Sequence, residues 1–242
     1  MVGPVVSAEE FEVVYLGTRP CAEGVASFRF SRPEGYSFTP GQFFALTLTT
    51  NDGVESKFFS HADAPADAAI ELTTRLSGSA FKSALVDLPR GATVTLSGPR
   101  GRLGVPEGAD SIGFLTGGVG ITPAHSIIRD AMQRSSGLDI ALIYGNRDES
   151  CIPYGEEFRG YAEAGTLLYV ETLDHPGVDW HGESGFITAD LVRRHVAEPA
   201  GRPWIVAGPP PMVDAMKRVV ADLGLPSESV SYELFAGYGP NG

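Results

Sequence analysis

The chain has 242 residues, 43% of them hydrophobic and 20% charged, enough apolar material for one large core or two ordinary ones and incompatible with intrinsic disorder. Asp and Glu outnumber Lys and Arg by 30 to 18, a formal charge of −12, which argues against nucleic acid or an anionic membrane as the main partner. The two cysteines, Cys21 and Cys151, are far apart and in no Cys-x-x-Cys pair, so this chain alone cannot build a four-cysteine iron–sulfur or zinc site.

In chain order, the start "MVGPVVSAEEFE" lacks the basic-then-apolar pattern of an export signal, and no later run approaches the roughly 20 apolar residues of a membrane span. A soluble, cytoplasmic protein is expected. The segments "FRF", "QFFALTLTT", "AAIELTTRL" and "ATVTLSG" then alternate apolar and polar residues with period two, as in Ile70, Leu72, Thr74, Leu76. Turn signals separate them ("RPEG", "TPGQ", "LPRG"), and short strands so spaced indicate a barrel or sandwich. After "SGPRGRLGVPEGAD" continuous apolar strands alternate with helices, the pattern of a parallel sheet covered on both faces. Thr122 before Pro123 reads as a helix N-cap, and a helix from Met212 to Leu223 carries Val213, Met216 and Val220 on one face before Gly224 stops it. The boundary between the two textures falls near Leu103 to Ala109, giving domains 1–105 and 106–242.

Two turns at strand ends bear on chemistry. "FLTGGVGITPAHSII" puts Gly117, Gly118 and Gly120 between an apolar strand and a helix, where backbone N–H groups and the helix N-terminus favour an anion. The pattern is neither GxGxxG nor a P-loop, and a tight strand-to-helix turn explains the glycines equally well. "WIVAGPPPMVDAM" ends a second strand in Gly208 and Pro209, a stiffened turn that suits a pocket wall or simply a rigid corner.

Taken together, "PGQF", "KFFSHADAP", "SGPRGRL", "GGVGITP", "YGNR", "AGPPPM" and the tail "YELFAGY" resemble, in order and over nearly the whole chain, the ferredoxin–NADP reductase superfamily of flavoproteins. The resemblance implies a six-stranded antiparallel FAD-binding barrel (1–105), then a parallel-sheet NAD(P)-binding domain (106–242) with an aromatic C-terminal tail. The family's Arg-x-Tyr-Ser stands here as Lys57-Phe58-Phe59-Ser60. By resemblance Lys57 faces the flavin pyrophosphate, Phe59 packs on the ring or ribityl chain, and Ser60 orients and polarises N5. Lysine cannot make arginine's bidentate phosphate contact, and Phe59 lacks the tyrosine hydroxyl. Arg75, next to Thr74, is the candidate for the missing fork, while His61 and Asp63 replace small or aliphatic residues. Ser79, Ala80, Phe81 and Lys82 match the family's second phosphate element.

On the nucleotide side the resemblance assigns Gly118, Gly120 and Thr122 to the NAD(P)H pyrophosphate, and Gly208 and Pro209 to the nicotinamide. Ala207 stands where many relatives have cysteine. Arg147 suits the 2′-phosphate of NADPH, whereas Asp148 and Glu149 suit the free 2′-hydroxyl of NADH; the sequence favours neither. Phe235 and Tyr238 are candidates for an aromatic that covers the flavin and yields to nicotinamide.

The residues of "LDHPGVDWHGESG" fit no metal-ligand spacing, so no metal is expected, and His125 reads as a surface or capping residue. Arg193, Arg194 and His195 read as a solvated basic face. The expected function is an FAD-dependent NAD(P)H oxidoreductase that passes electrons to a separate ferredoxin, flavodoxin or oxygenase component. The alternative is a flavin-bearing subunit of a larger redox complex.

Overall fold

The computed structural model describes residues 9–235. Six strands, β1 (Glu10–Ala22), β2 (Val25–Ser31), β3 (Phe43–Thr50), β4 (Gly53–Ser60), β5 (Ala69–Arg75) and β6 (Thr93–Arg100), form an antiparallel sheet ordered β4-β3-β6-β1-β2-β5. Its edge strands β4 and β5 touch, so the sheet curls into a half-barrel around Phe28, Phe30, Phe44, Leu46, Ile70 and Leu72. Alternation produces this core: in β2, Phe28 and Phe30 are buried while Arg29 between them is exposed. Helix α1 (Ala80–Val86) adds Phe81 and Leu85 to the same core. The long strand β1 accommodates Gly17, at φ +134°, and Pro20 at two register shifts against β2, where a broken ladder tolerates both residues.

The second sheet is parallel throughout, built from β7 (Ser111–Gly117), β8 (Asp139–Asn146), β9 (Leu168–Leu173), β10 (Glu183–Ser184), β11 (Trp204–Gly208) and β12 (Val230–Leu234) in the order β10-β9-β8-β7-β11-β12. Helices α2 (Ile121–Gln133) and α3 (Gly155–Glu163) cover one face with Ile112, Phe114, Leu142 and Tyr144. Helices α4 (Ala189–His195) and α5 (Pro210–Asp222) cover the other with Leu115, Ile143, Trp204 and Val206. Burial on both faces is why these strands read as continuous apolar runs. The chain steps from β7 outward through β8 to β10, then returns to lay β11 on the other side of β7. That reversal makes the carboxyl ends of β7 and β11 the topological switch point, where open α/β sheets bind ligands.

Three expectations are corrected here. Helix α2 starts at Ile121 with Gly120 as N-cap, so Thr122 lies inside the first turn, where its hydroxyl donates to the Val119 carbonyl at 3.2 Å. Pro123 is tolerated there because first-turn N–H groups have no helical partner. Helix α5 starts at Pro210, two residues before Met212, for the same reason. The start of the expected C-terminal tail is a strand: Tyr232, Glu233 and Leu234 belong to β12, which pairs in parallel with β11.

The half-barrel and the parallel sheet are joined through polar contacts. His125 is buried rather than at the surface, stacked on Tyr154 at 3.6 Å, with Nδ1 donating to the Ala62 carbonyl at 2.5 Å and Nε2 facing Glu157 at 3.1 Å. Ser126 Oγ donates to the Asp63 carbonyl at 2.6 Å. Both acceptors lie just after Ser60, so helix α2 holds the chain that leaves β4.

Candidate functional site

The glycines at the switch point have three different physical reasons. Gly118 alone of the three adopts a positive φ, +54°, and a Cβ added there would meet nothing within 4 Å, so its backbone faces open space. A Cβ on Gly120 would lie 2.5 Å from the Ala207 carbonyl oxygen and 2.7 Å from Gly208 Cα, because the glycine loop touches the Gly-Pro loop directly. A Cβ on Gly117 would lie 2.7 Å from Met212 Sδ, and so would one on Gly208. One thioether therefore packs against both glycines, and at Gly117 the Gly145 carbonyl oxygen, 3.0 Å from the added Cβ, closes the space further. Room for a ligand accounts for Gly118; packing accounts for Gly117, Gly120 and Gly208.

Beside these loops a cavity of about 800 Å³ opens between the half-barrel and the parallel sheet. Lys57, Phe58, Phe59 and Ser60 of β4 line it, with Thr74 of β5 and Ser79, Phe81 and Lys82 from the start of α1. Thr122 of α2 and Phe235, after β12, complete the wall. Phe59 and Phe81 sit with ring centroids 5.8 Å apart, tilted by 32°. Phe58 is 61% exposed at the rim, packed edge-on against Phe43 at 5.6 Å, with the Arg100 guanidinium 5.7 Å above its ring.

At the floor, Ser60 is buried and its Oγ donates to Glu233 Oε1 at 2.7 Å. The register of β12 on β11 puts Glu233 opposite Ala207, and the Phe235 N–H donates to the Gly208 carbonyl at 3.0 Å. Burial raises the Glu233 carboxyl above the usual carboxylate range, opposed by the Ser60 hydrogen bond. Its second oxygen, Oε2, is buried and has no partner among the described residues. Sequence reasoning missed Glu233 as a distinct residue; only a prediction of β12 and its register would have placed it beside Ser60.

Lys57, on the cavity wall, also pairs with Glu55, its Nζ 3.2 Å from Oε2. Other expected residues lie elsewhere. Ala80 and Arg75 are not among the residues lining the cavity; Arg75 lies close to Lys82, whose ammonium pKa is lowered by burial and then by the Arg75 charge. Gly118, Gly120, Gly208 and Pro209 cluster at the switch point next to the cavity, while Arg147 emerges beyond β8, where Gly145 is level with Gly117. Tyr238 lies outside the described residues. His61 and Asp63 stand behind the site. His61 stacks on Phe38 at 3.6 Å and bonds Tyr36 Oη at 2.9 Å, and Asp63 ties His61 to Arg32. The basic face is internally paired, Arg193 with Asp190 and both Arg194 and His195 with Glu183.

Residues 114–218 match the oxidoreductase NAD-binding domain family. Ferredoxin–NADP reductase B of Sorangium cellulosum (strain So ce56) is 28% identical over 246 residues, 96% of this chain and 100% of that protein. NADH-cytochrome b5 reductase 1 of Aspergillus terreus (strain NIH 2624 / FGSC A1156) is 36% identical over 151 residues, 58% of this chain; the aligned part is 50% of that protein, so the chain spans about half the length of this relative. Among solved structures, a ferredoxin NADP+ reductase from Neisseria gonorrhoeae with bound FAD and NADP superposes with a TM-score of 0.81 at 20% identity, over 94% of this chain and 99% of that one. The cytochrome b5 reductase domain of Ulva prolifera nitrate reductase superposes at 0.81 with 21% identity, over 93% and 97%. These likenesses establish the two-sheet fold.

Proposed function

We propose that this chain, whose residues 114–218 match the oxidoreductase NAD-binding domain family and which is 28% identical to a ferredoxin–NADP reductase over 96% of its length, is an oxidoreductase that uses FAD and NAD(P)H and passes electrons from NAD(P)H, by way of FAD, to a separate redox protein. The observation that carries the proposal is the cavity in which the Ser60–Glu233 pair, the Phe59 ring and the switch-point loops converge.

The residues fit FAD. The cavity is within the range of small-molecule sites, Phe59 and Phe81 give it an aromatic wall, and Glu233 Oε2, buried with no partner among the described residues, leaves a polar group for a ligand to meet. Bound FAD supplies hydride acceptance and release of electrons one or two at a time. Lys57 and Lys82 supply positive charge for its pyrophosphate. Phe59 offers a flat face for the ring system. Ser60 Oγ, its hydrogen committed to Glu233, keeps lone pairs with which to accept a hydrogen bond. Glu233, raised by burial, holds a proton more readily than a surface glutamate, at the wall where reduction takes up a proton. Gly118 and the N-terminus of α2 present backbone N–H groups to the pyrophosphate of NAD(P)H. Phe235, tied to Gly208 at 3.0 Å, stands between the cavity and the Gly-Pro loop.

The acceptor reading is supported by the exposed Phe58 and Arg100 at the rim, and by relatives named as ferredoxin and cytochrome b5 reductases. A visible absorption spectrum of the protein supplied with FAD, taken before and after anaerobic NADH and then NADPH, tests the proposal. Retained flavin bands that bleach with a nucleotide are expected. Protein that retains no flavin, or flavin that neither nucleotide bleaches, refutes it.

A further inference from the structure

In a parallel sheet of this kind the dinucleotide phosphates lie at the loop after the first strand, and the adenosine ribose reaches the end of the second, where an acidic group reads its 2′-hydroxyl or an arginine its 2′-phosphate. Here the first strand is β7 and the second is β8, paired in register from Ser111↔Asp139 to Gly117↔Gly145. Resting on the pyridine-nucleotide reading above, we infer that this chain selects NADH over NADPH. The discriminating element is the rim formed by Arg147, Asp148 and Glu149, in which the arginine is already engaged and the carboxylates prevail.

Two observations carry this. First, the Nε–Nη2 edge of the Arg147 guanidinium is engaged: Nε is 2.8 Å from Asp148 Oδ2, and Nη2 donates to Cys151 Sγ at 3.3 Å. Asp148 is fixed in turn, its Oδ1 accepting from Ser150 N at 3.1 Å and Ser150 Oγ at 2.5 Å. A 2′-phosphate that took this bidentate edge would have to compete with Asp148 for it. Second, the rim is negative. Glu149 Oε1 accepts from Gly177 N at 2.7 Å, and Glu23 Oε2 lies 2.8 Å from Ser150 Oγ, competing with Asp148 for the one hydroxyl hydrogen. One arginine thus stands against three carboxylates where NADPH would bring a phosphomonoester carrying up to two negative charges, and NADH only a hydroxyl.

The Ser150 and Arg147 hydrogen bonds hold the Asp148 carboxyl well below the usual carboxylate range, so the pair stays charged through ordinary working pH. The expected consequence is at least about a tenfold tighter hold on NADH than on NADPH.

The test measures dissociation constants of NADH and NADPH, by anaerobic calorimetry, on wild type, Asp148→Ser and Glu149→Gln. Flavin bleaching by each nucleotide is followed in parallel. Asp148→Ser removes a charge and releases Arg147, so it is expected to narrow the NADH:NADPH ratio by about tenfold, and Glu149→Gln by less. Equal or tighter binding of NADPH by wild type overturns the inference, as does an unchanged ratio in an Asp148→Ser protein whose melting temperature is unaltered. Failure of both nucleotides to bind and to bleach the flavin overturns instead the parent reading of the site.

Discussion

Gly120 has ordinary right-handed dihedrals, φ −61° and ψ −10°, so alanine there carries no backbone strain. What it carries is a collision. The new methyl would lie 2.5 Å from the Ala207 carbonyl oxygen, 2.7 Å from Gly208 Cα and 2.8 Å from the Ala207 carbonyl carbon. All three are backbone atoms of β11, which no rotamer change can move. Restoring a van der Waals separation of roughly 3.5 Å requires the two switch-point loops to part by about 1 Å. Overpacking of that kind costs about 1–3 kcal/mol, and with immovable neighbours the upper end is expected, about 2–3 kcal/mol. For a chain of this length that is a fall in melting temperature of about 5–10 °C. Gly118→Ala meets nothing and bears only its left-handed backbone, about 1 kcal/mol. Thermal melts followed by circular dichroism compare the two variants. A Gly120→Ala protein that melts no lower than Gly118→Ala refutes the argument that packing, rather than ligand approach, dictates Gly120.

Two further outcomes follow from the ionisable groups. Ser60→Ala removes the one hydrogen bond that lowers the Glu233 carboxyl, leaving Oε1 as bare as Oε2; a cost of about 1–3 kcal/mol and slower flavin reduction are expected. Because the folded pKa of Glu233 is raised, its stabilising contribution is full below the unfolded pKa and is lost as pH rises through the folded value, so Ser60→Ala moves that loss upward; an NMR titration of Glu233 showing no upward shift refutes this. Glu157 is the opposite case. Burial raises its carboxyl but is outweighed by the His125 and Tyr161 hydrogen bonds and by Arg129, which bring it down to about 2. Its contribution is therefore present above the unfolded pKa and lost as pH falls toward 2, about 2 kcal/mol once partial solvent exposure is allowed for. Urea melts of Glu157→Gln from pH 7 to pH 3 are expected to lose less stability on acidification than wild type, and an equal loss refutes the assignment.

The parallel sheet was legible because strands buried on both faces, such as "DIALIYGN", have no other reading, and the helices between them keep a clear period. Strands β1 and β4 were not read as strands. Gly17 and Pro20 interrupt β1, and β4 leaves Lys57 and Phe58 exposed on an edge, so period-two alternation is blurred in both. In the site, residue types were legible and reasons were not. Gly117, Gly118 and Gly120 look alike as letters, yet one spares a thioether, one takes a left-handed turn and one spares a carbonyl. Glu233 stayed hidden because its partner is 173 residues away, and His125 because its stacking and its carbonyl partner come from Tyr154 and Ala62, distant in sequence. Contacts that depend on register between remote strands leave no local pattern.

Among the described residues strand β12 is an edge strand, zipped to β11 on one side, and it delivers Glu233 and Phe235 to the cavity. Local opening is easiest at such an edge. If β12 unzips, the half-barrel wall with Lys57, Phe59 and Ser60 stays in place, but Ser60 loses its acceptor and the cavity its aromatic flank. The site thus has a wall with its own melting equilibrium, readable as faster amide exchange over residues 230–234 than over β7, β8 or β11. A ligand that touches Glu233 or Phe235 is bound to slow that exchange first, so this last strand serves as a built-in reporter of occupancy.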